Sequence, residues 1–138
     1  MTKTRVLFIC SHNAARSQMA EAIANRFLRD RVEASSGGSK PEPIKKEAIE
    51  VMRELGIDIS HNRSKHLREF EGQRFDYAVT LCGDNEEFCP FFPDAREHLH
   101  HGVNDPPGID GTWEERLGAY RRMRDDIRAW ITKEFGDS

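Results

Sequence analysis

Val6-Leu7-Phe8-Ile9-Cys10-Ser11-His12-Asn13-Ala14-Ala15-Arg16-Ser17 is the stretch whose reading decides the fold. Its first five residues are apolar, partly β-branched, and run straight into a polar turn, the pattern of a parallel strand buried on both faces. Beyond Arg16 the period changes. Met19, Ile23 and Phe27, with Ala20 and Ala24 beside them, recur every fourth residue and mark an amphipathic helix that ends before Arg29-Asp30-Arg31. Cys10 therefore stands at a strand end and Arg16 six positions later at a helix start, a C-x5-R spacing followed by a hydroxyl residue. A loop of this length can wrap a tetrahedral anion with successive backbone N–H groups, while the positive helix end and the Arg16 guanidinium neutralise its charge. The same field favours a nucleophilic thiolate at Cys10. A buried strand-end cysteine and a surface arginine would share the spacing; the strand-loop-helix setting is what favours the chemical reading.

Working outward, Val32 to Ser36 reads as a second short strand, and Gly37, Gly38, Pro41 and Pro43 force a turn before a helix carrying Ile44, Ala48, Met52 and Leu55, with Gly56 as its stop. Phe75 to Leu81 is another buried strand, and it too runs into a cysteine, Cys82. Glu97 to His101 is a weaker strand candidate. Thr112-Trp113-Glu114-Glu115 has capping-box spacing and opens a helix traced by Leu117, Tyr120, Met123 or Arg124, Ile127 and Ile131. This alternation predicts one α/β domain over residues 1–138, a three-layer sandwich whose four-stranded parallel sheet carries helices on both faces. Ligands of such sheets bind beyond the carboxyl ends of the strands, where Cys10 and Cys82 both fall.

Composition narrows the function classes. A chain of 138 residues with 37% hydrophobic residues supports one real core, and a net charge of -3 argues against a nucleic-acid partner. The apolar run Val6–Cys10 is too short for a signal peptide or a membrane span, so a soluble, cytoplasmic protein is expected, and small size with an acidic, mixed surface favours a monomer. In a reducing compartment its three cysteines are catalytic, metal-binding or simply buried. Cys82 and Cys89 form C-x6-C, which lacks zinc-knuckle spacing. His98, His100 and His101 suggest a metal cluster at first sight, but same-face strand histidines usually face solvent, and no metal is assigned.

The string from Cys10 to Glu21, with Arg16-Ser17-Gln18-Met19-Ala20-Glu21, resembles the signature of the low-molecular-weight tyrosine phosphatase superfamily. Thr80-Leu81-Cys82-Gly83-Asp84-Asn85-Glu86-Glu87-Phe88-Cys89-Pro90 resembles the redox segment of that superfamily's thioredoxin-coupled arsenate reductases. Reducing arsenate to arsenite takes two electrons, so such an enzyme must supply a thiol pair that ends as a disulfide. The resemblance implies that Cys10 attacks arsenate held by Ser11, His12, Asn13, Ala14, Ala15, Arg16 and Ser17, with phosphate or sulfate as competing anions. Cys82 then releases arsenite by attacking the Cys10 adduct, and Cys89 attacks Cys82. The product disulfide, Cys82–Cys89, is reduced by thioredoxin with electrons ultimately from NADPH, and no bound cofactor is needed.

Asn104-Asp105-Pro106-Pro107 resembles the superfamily's acid loop, which makes Asp105 the general acid; Pro107 and Gly108, where phosphatases carry aromatic residues, favour a small inorganic substrate. Asn13, Glu21 and Ser36 match positions that surround a potassium ion in some relatives. The fourth such position, usually aspartate, is Lys65, whose ammonium could replace the metal. His12 stands where relatives often have glycine, and Ala14 and Ala15 replace polar or sulfur-bearing residues. The alternatives are an aryl or protein phosphatase using Cys10, Arg16 and Asp105 alone, and coupling to glutathione in place of thioredoxin. A helical 82–89 segment in the reduced protein would separate its cysteines by about 10.5 Å along the axis. A disulfide tolerates roughly 4.4–6.8 Å between Cα atoms, so that segment is expected to rearrange on oxidation.

Overall fold

Val6, Leu7, Phe8 and Ile9 are all inaccessible to solvent, each side chain contributing roughly 1.5–3 kcal/mol on burial. The computed structural model describes residues 3–83, 89–103 and 111–136. These four residues lie in strand β1 (Thr4–Ile9), which is followed by helix α1 (Arg16–Phe27), β2 (Val32–Gly37), α2 (Lys46–Arg53), a 3-10 helix (Leu67–Phe70), β3 (Phe75–Cys82), β4 (Ala95–Val103) and α3 (Trp113–Phe135). The sheet order is β2-β1-β3-β4 and every pairing is parallel.

Alternation along β1 divides the core. Val6 and Phe8 join the larger cluster, to which α1 contributes Met19 and Ile23, α2 contributes Val51 and Met52, and α3 contributes Leu117, Ile127 and Ile131. Leu7 and Ile9 point the other way, onto Leu67 and Phe70 of the 3-10 helix and onto Phe75 and Phe92. The expected α/β class with a four-stranded parallel sheet is observed. Among the described residues the second face is covered by the 3-10 helix and the chain around Phe92, while all three α-helices share the larger cluster.

Two element boundaries differ from expectation. Helix α2 begins at Lys46, after Ile44, because the chain before it is extended: Lys45 has φ -66 and ψ 137, and its amide bonds the Ala14 carbonyl. The helix ends at Arg53, and Leu55 lies in a closing turn where Gly56 takes φ +78, a conformation open to glycine. Strand β4 is longer than 97–101 at both ends because parallel pairing with β3 extends from Ala95 to Val103. The Thr112 capping box forms as the spacing predicts, with Thr112 Oγ1 accepting from the Glu115 amide and Glu115 returning to the Thr112 amide. No described helix is long and apolar enough to cross a membrane.

Candidate active site

Residues 10–15 bridge the end of β1 and the start of α1. The helix is preceded by Ala15, which makes no side-chain cap hydrogen bond, and a helix start of this kind is where an anion is held by backbone N–H groups. On the outer side of the loop, the Ser11, His12 and Ala14 carbonyls accept from the amides of Lys40, Glu42 and Lys45. Three carbonyls of the loop are thereby held by the chain that follows β2. Asn13 supplies the sharp bend at φ 50, a left-handed conformation that asparagine tolerates better than most residues.

The Asn13 side chain organises the loop from within. It is fully buried, and its amide nitrogen donates to Ser17 Oγ at 2.7 Å and Ser36 Oγ at 2.9 Å. Its oxygen accepts from Gln18 Nε2 at 2.9 Å and from the Lys65 amide at 2.8 Å. All four of its bonding positions are used. Ser17 Oγ, already accepting from Asn13, lies 2.9 Å from Cys10 Sγ, where its proton can be directed at the sulfur. The Ser36 hydroxyl in turn donates to Glu21 Oε1 at 2.6 Å. Lys65 Nζ sits 3.7 Å from that same oxygen, and its side chain is only 17% exposed. A continuous polar chain therefore runs Lys65–Glu21–Ser36–Asn13–Ser17–Cys10, and it joins every residue that the sequence nominated as loop support.

Arg16 is 2% exposed. Its Nη1 donates to the Val103 carbonyl at 2.8 Å and the Leu81 carbonyl at 3.4 Å. These carbonyls lie at the carboxyl ends of β4 and β3, so one guanidinium spans the rim of the sheet, adjoining Cys82 in the chain. His12 turns away from the loop interior: its Nδ1 lies 3.1 Å from the Lys40 carbonyl and 3.3 Å from Glu42 Oε2. Asp105 lies outside the described residues, as do Pro107 and Gly108.

Cys82 ends β3 and is 3% exposed. It is disulfide-bonded to Cys89, with Cα atoms 5.8 Å apart, while Cys10 is a free, buried thiol. Cys89 is the more accessible partner, half-buried. The strand histidines do not converge: His98 Nε2 donates to the Phe92 carbonyl at 2.9 Å, His100 Nδ1 pairs with Thr80 Oγ1 at 2.7 Å, and His101 stacks on Trp130. Among the described residues, no group of three His, Cys, Asp or Glu could hold a metal ion.

Two supporting residues carried too weak a signal in the sequence. Gln18 is fully buried and ties Asn13 to the Arg63 carbonyl at 2.9 Å, yet its position in a helix read only as a polar residue beside the motif. Gly38 approaches the loop so closely that a Cβ there would stand 2.5 Å from the Cys10 carbonyl oxygen and 2.6 Å from that of Ser11. Its place in a Gly-Gly pair suggested a turn, not a contact.

Residues 5–133 match the low molecular weight phosphotyrosine protein phosphatase family. An arsenate reductase of Halalkalibacterium halodurans is 38% identical over 127 residues, which cover 92% of this chain and 91% of that protein. A solved arsenate reductase in the phosphate-binding state is 26% identical, with a TM-score of 0.78 over 94% of this chain and 95% of that chain. The thioredoxin-dependent arsenate reductase of Corynebacterium glutamicum is 30% identical, with a TM-score of 0.65 over 95% of this chain and 61% of that one. With the loop, the paired thiols and these likenesses together, the chain belongs to the low molecular weight phosphotyrosine protein phosphatase family, among its arsenate reductases.

Proposed function

We propose that the protein reduces arsenate to arsenite through a three-thiol relay that thioredoxin resets. The observation that carries this reading is the pairing of Cys82 with Cys89 while Cys10 remains a free thiol beside Ser17. Hydrolysis of a phosphate ester has no use for that pair. The Cys10 thiolate attacks arsenic, Arg16 and the loop amides hold the oxyanion, and Asp105 protonates the oxygen that leaves as water. Cys82 then attacks the Cys10 sulfur; the arsenic–sulfur bond breaks, its electron pair stays on arsenic, and arsenite departs. Cys89 attacks Cys82 and expels the Cys10 thiolate, leaving the Cys82–Cys89 disulfide. Thioredoxin returns two electrons, drawn from NADPH.

Cys82 must bond Cys10 and Cys89 in turn, and each bond requires Cα atoms within roughly 4.4–6.8 Å. Cys10 is fixed by its loop, so the motion falls on residues 82–89. A reduced protein whose 82–89 backbone matched the oxidised one would overturn that step. Lys65 acts as a positioning residue, its ammonium standing near Glu21 in place of potassium.

The deciding assay measures arsenate-dependent NADPH oxidation with thioredoxin and thioredoxin reductase. Cys82→Ser and Cys89→Ser should each abolish multiple turnover yet spare hydrolysis of an aryl phosphate, which needs only Cys10, Arg16 and Asp105. Absence of turnover by the native protein would sink the relay, and turnover only with glutathione and glutaredoxin would reassign its reductant.

A further inference from the structure

The chain leaving the disulfide is held with unusual care. Pro90 and Phe92 are buried, and Phe92 packs edge-on against Phe75 with ring centroids 5.6 Å apart. Between them Phe91 is turned outward and is 66% exposed, well beyond the 40% exposure of Phe27 and Trp113. Its ring is not left to wander: it stacks on His98 at 4.8 Å with an interplanar angle of 21°. The same histidine donates from Nε2 to the Phe92 carbonyl at 2.9 Å, so one side chain fixes both the ring and the backbone beside it.

A single exposed apolar residue is ordinary on a protein surface. Phe27 and Trp113 are accounted for locally, lying under Arg128 and Arg116 respectively. Phe91 differs in its location. Two residues of chain span at most about 7 Å, so Phe91 stands beside Cys89, the accessible half of a disulfide whose other half, Cys82, is 3% exposed. A protein that reduces this bond must lay its own thiol along the sulfur–sulfur axis from the Cys89 side, and its surface then covers Phe91. Redox encounters use small interfaces, below about 1,200 Å², in which one preordered aromatic can carry much of the affinity.

We propose that Phe91, held on His98, is the docking point for the protein dithiol that reduces the Cys82–Cys89 disulfide, received against a flat apolar rim around the partner's attacking thiol. The proposal rests on the relay reading and deepens it. The partner's thiolate attacks Cys89 Sγ, the sulfur–sulfur bond breaks, and Cys82 leaves as a thiolate that takes a proton from water. The partner's second thiol loses its proton and attacks the mixed disulfide, so the partner is oxidised and Cys89 is released. A small dithiol performs the same exchange without needing the ring.

The test compares two reductants on the full, oxidised chain: thioredoxin as the varied substrate, and dithiothreitol. Phe91→Ser should lower kcat/KM for thioredoxin about tenfold, the loss of one interfacial aromatic, while the dithiothreitol rate stays within about twofold of the native value, well under the 1.4 kcal/mol that a tenfold change represents. Phe91→Leu should recover most of the loss, and His98→Ala, which frees the ring, should fall between. Equal slowing with both reductants, or no slowing with either, overturns the docking role. If thioredoxin fails on the native chain although dithiothreitol reduces it, thioredoxin is not the reductant and docking falls with that assignment; if thioredoxin works equally on native and Phe91→Ser chains, docking alone fails.

Discussion

Cys10 and the Cys82–Cys89 pair sit at neighbouring strand ends of one sheet, yet their surroundings are built on opposite plans. Around Cys10 nearly everything is buried and bonded: Asn13 has four partners, Arg16 reaches two carbonyls, and three loop carbonyls are held from outside. Around the disulfide, Cys89 is half-buried and an aromatic ring, Phe91, projects into solvent. The difference follows from the chemistry asked of each. An oxyanion is stabilised best by donors that need no reorganisation when charge develops, so the loop is fixed before substrate arrives. Under the proposed relay, Cys82 would meet two successive sulfurs and its disulfide an external reductant, which calls for access.

The largest effect should come from breaking the fixed region at its centre. Asn13→Ala removes four hydrogen bonds and strips partners from Ser17, Ser36 and Gln18; each buried polar group left unpaired costs about 1–3 kcal/mol. Arsenate kcat/KM should fall about a hundredfold or more, measured in the coupled assay, while the dithiothreitol rate on Cys82–Cys89 stays near native. If both fell together, the two regions would not be separable. Gly38→Ala is the next step down. Its Cβ would press on the Cys10 and Ser11 carbonyls at 2.5 and 2.6 Å, contacts with backbone that can be relieved only by moving the loop, and a displacement of that kind costs about ten- to a hundredfold in rate. Lys65→Asp should act more gently, raising the arsenate KM about fivefold through loss of one partly buried ion pair. Adding KCl at constant ionic strength should lower KM in this variant and leave the native enzyme unchanged; a native enzyme that responds severalfold to KCl would remove Lys65 from the role of cation.

The sequence was most legible where local pattern and global fold agree. The apolar run into Cys10 and the four-residue repeat after Arg16 specify β1 and α1 because burial and helical period are properties of the chain itself, and Thr112 and Glu115 announce their own capping box. What stayed hidden depends on residues far apart in the chain. Gly38 is constrained by carbonyls some 27 residues earlier, and Gln18 by the Arg63 carbonyl, neither of which leaves a local mark. Ile44 and Leu55 fit the helical period of α2 yet lie outside it, since the loop takes the Lys45 amide and Gly56 turns the chain. The Phe91–His98 stack joins residues seven positions apart, one in the chain before β4 and one on it, which no periodicity reports.

The smallest effect concerns what holds the fixed region from below. Helix α2 enters from Lys45, whose amide fastens the Ala14 carbonyl of the loop, and just past its last turn Glu54 is clamped by two arginines of α3. Arg121 donates to both carboxylate oxygens from Nε and from Nη2 at 2.8 Å, and Arg124 Nη1 reaches Glu54 at 2.8 Å and the Val51 carbonyl at 2.8 Å. These bonds, Arg121's foremost, hold the Glu54 carboxyl at a pKa of about 2 against an ordinary 4.5. A depressed carboxylate pKa means that the unfolded chain takes up the proton first as pH falls. The clamp therefore contributes fully above about pH 4.5 and is lost progressively toward pH 2. Glu54→Gln should lower the Tm modestly at neutral pH, flatten its dependence between these limits, and converge with the native protein near pH 2, as followed by circular dichroism. The dithiothreitol rate on Cys82–Cys89 at neutral pH should not change, because no part of the clamp touches the disulfide. An altered rate would show that the helix layer restrains the disulfide as well as the loop, and the division between a buried and an accessible thiol region would have to be redrawn.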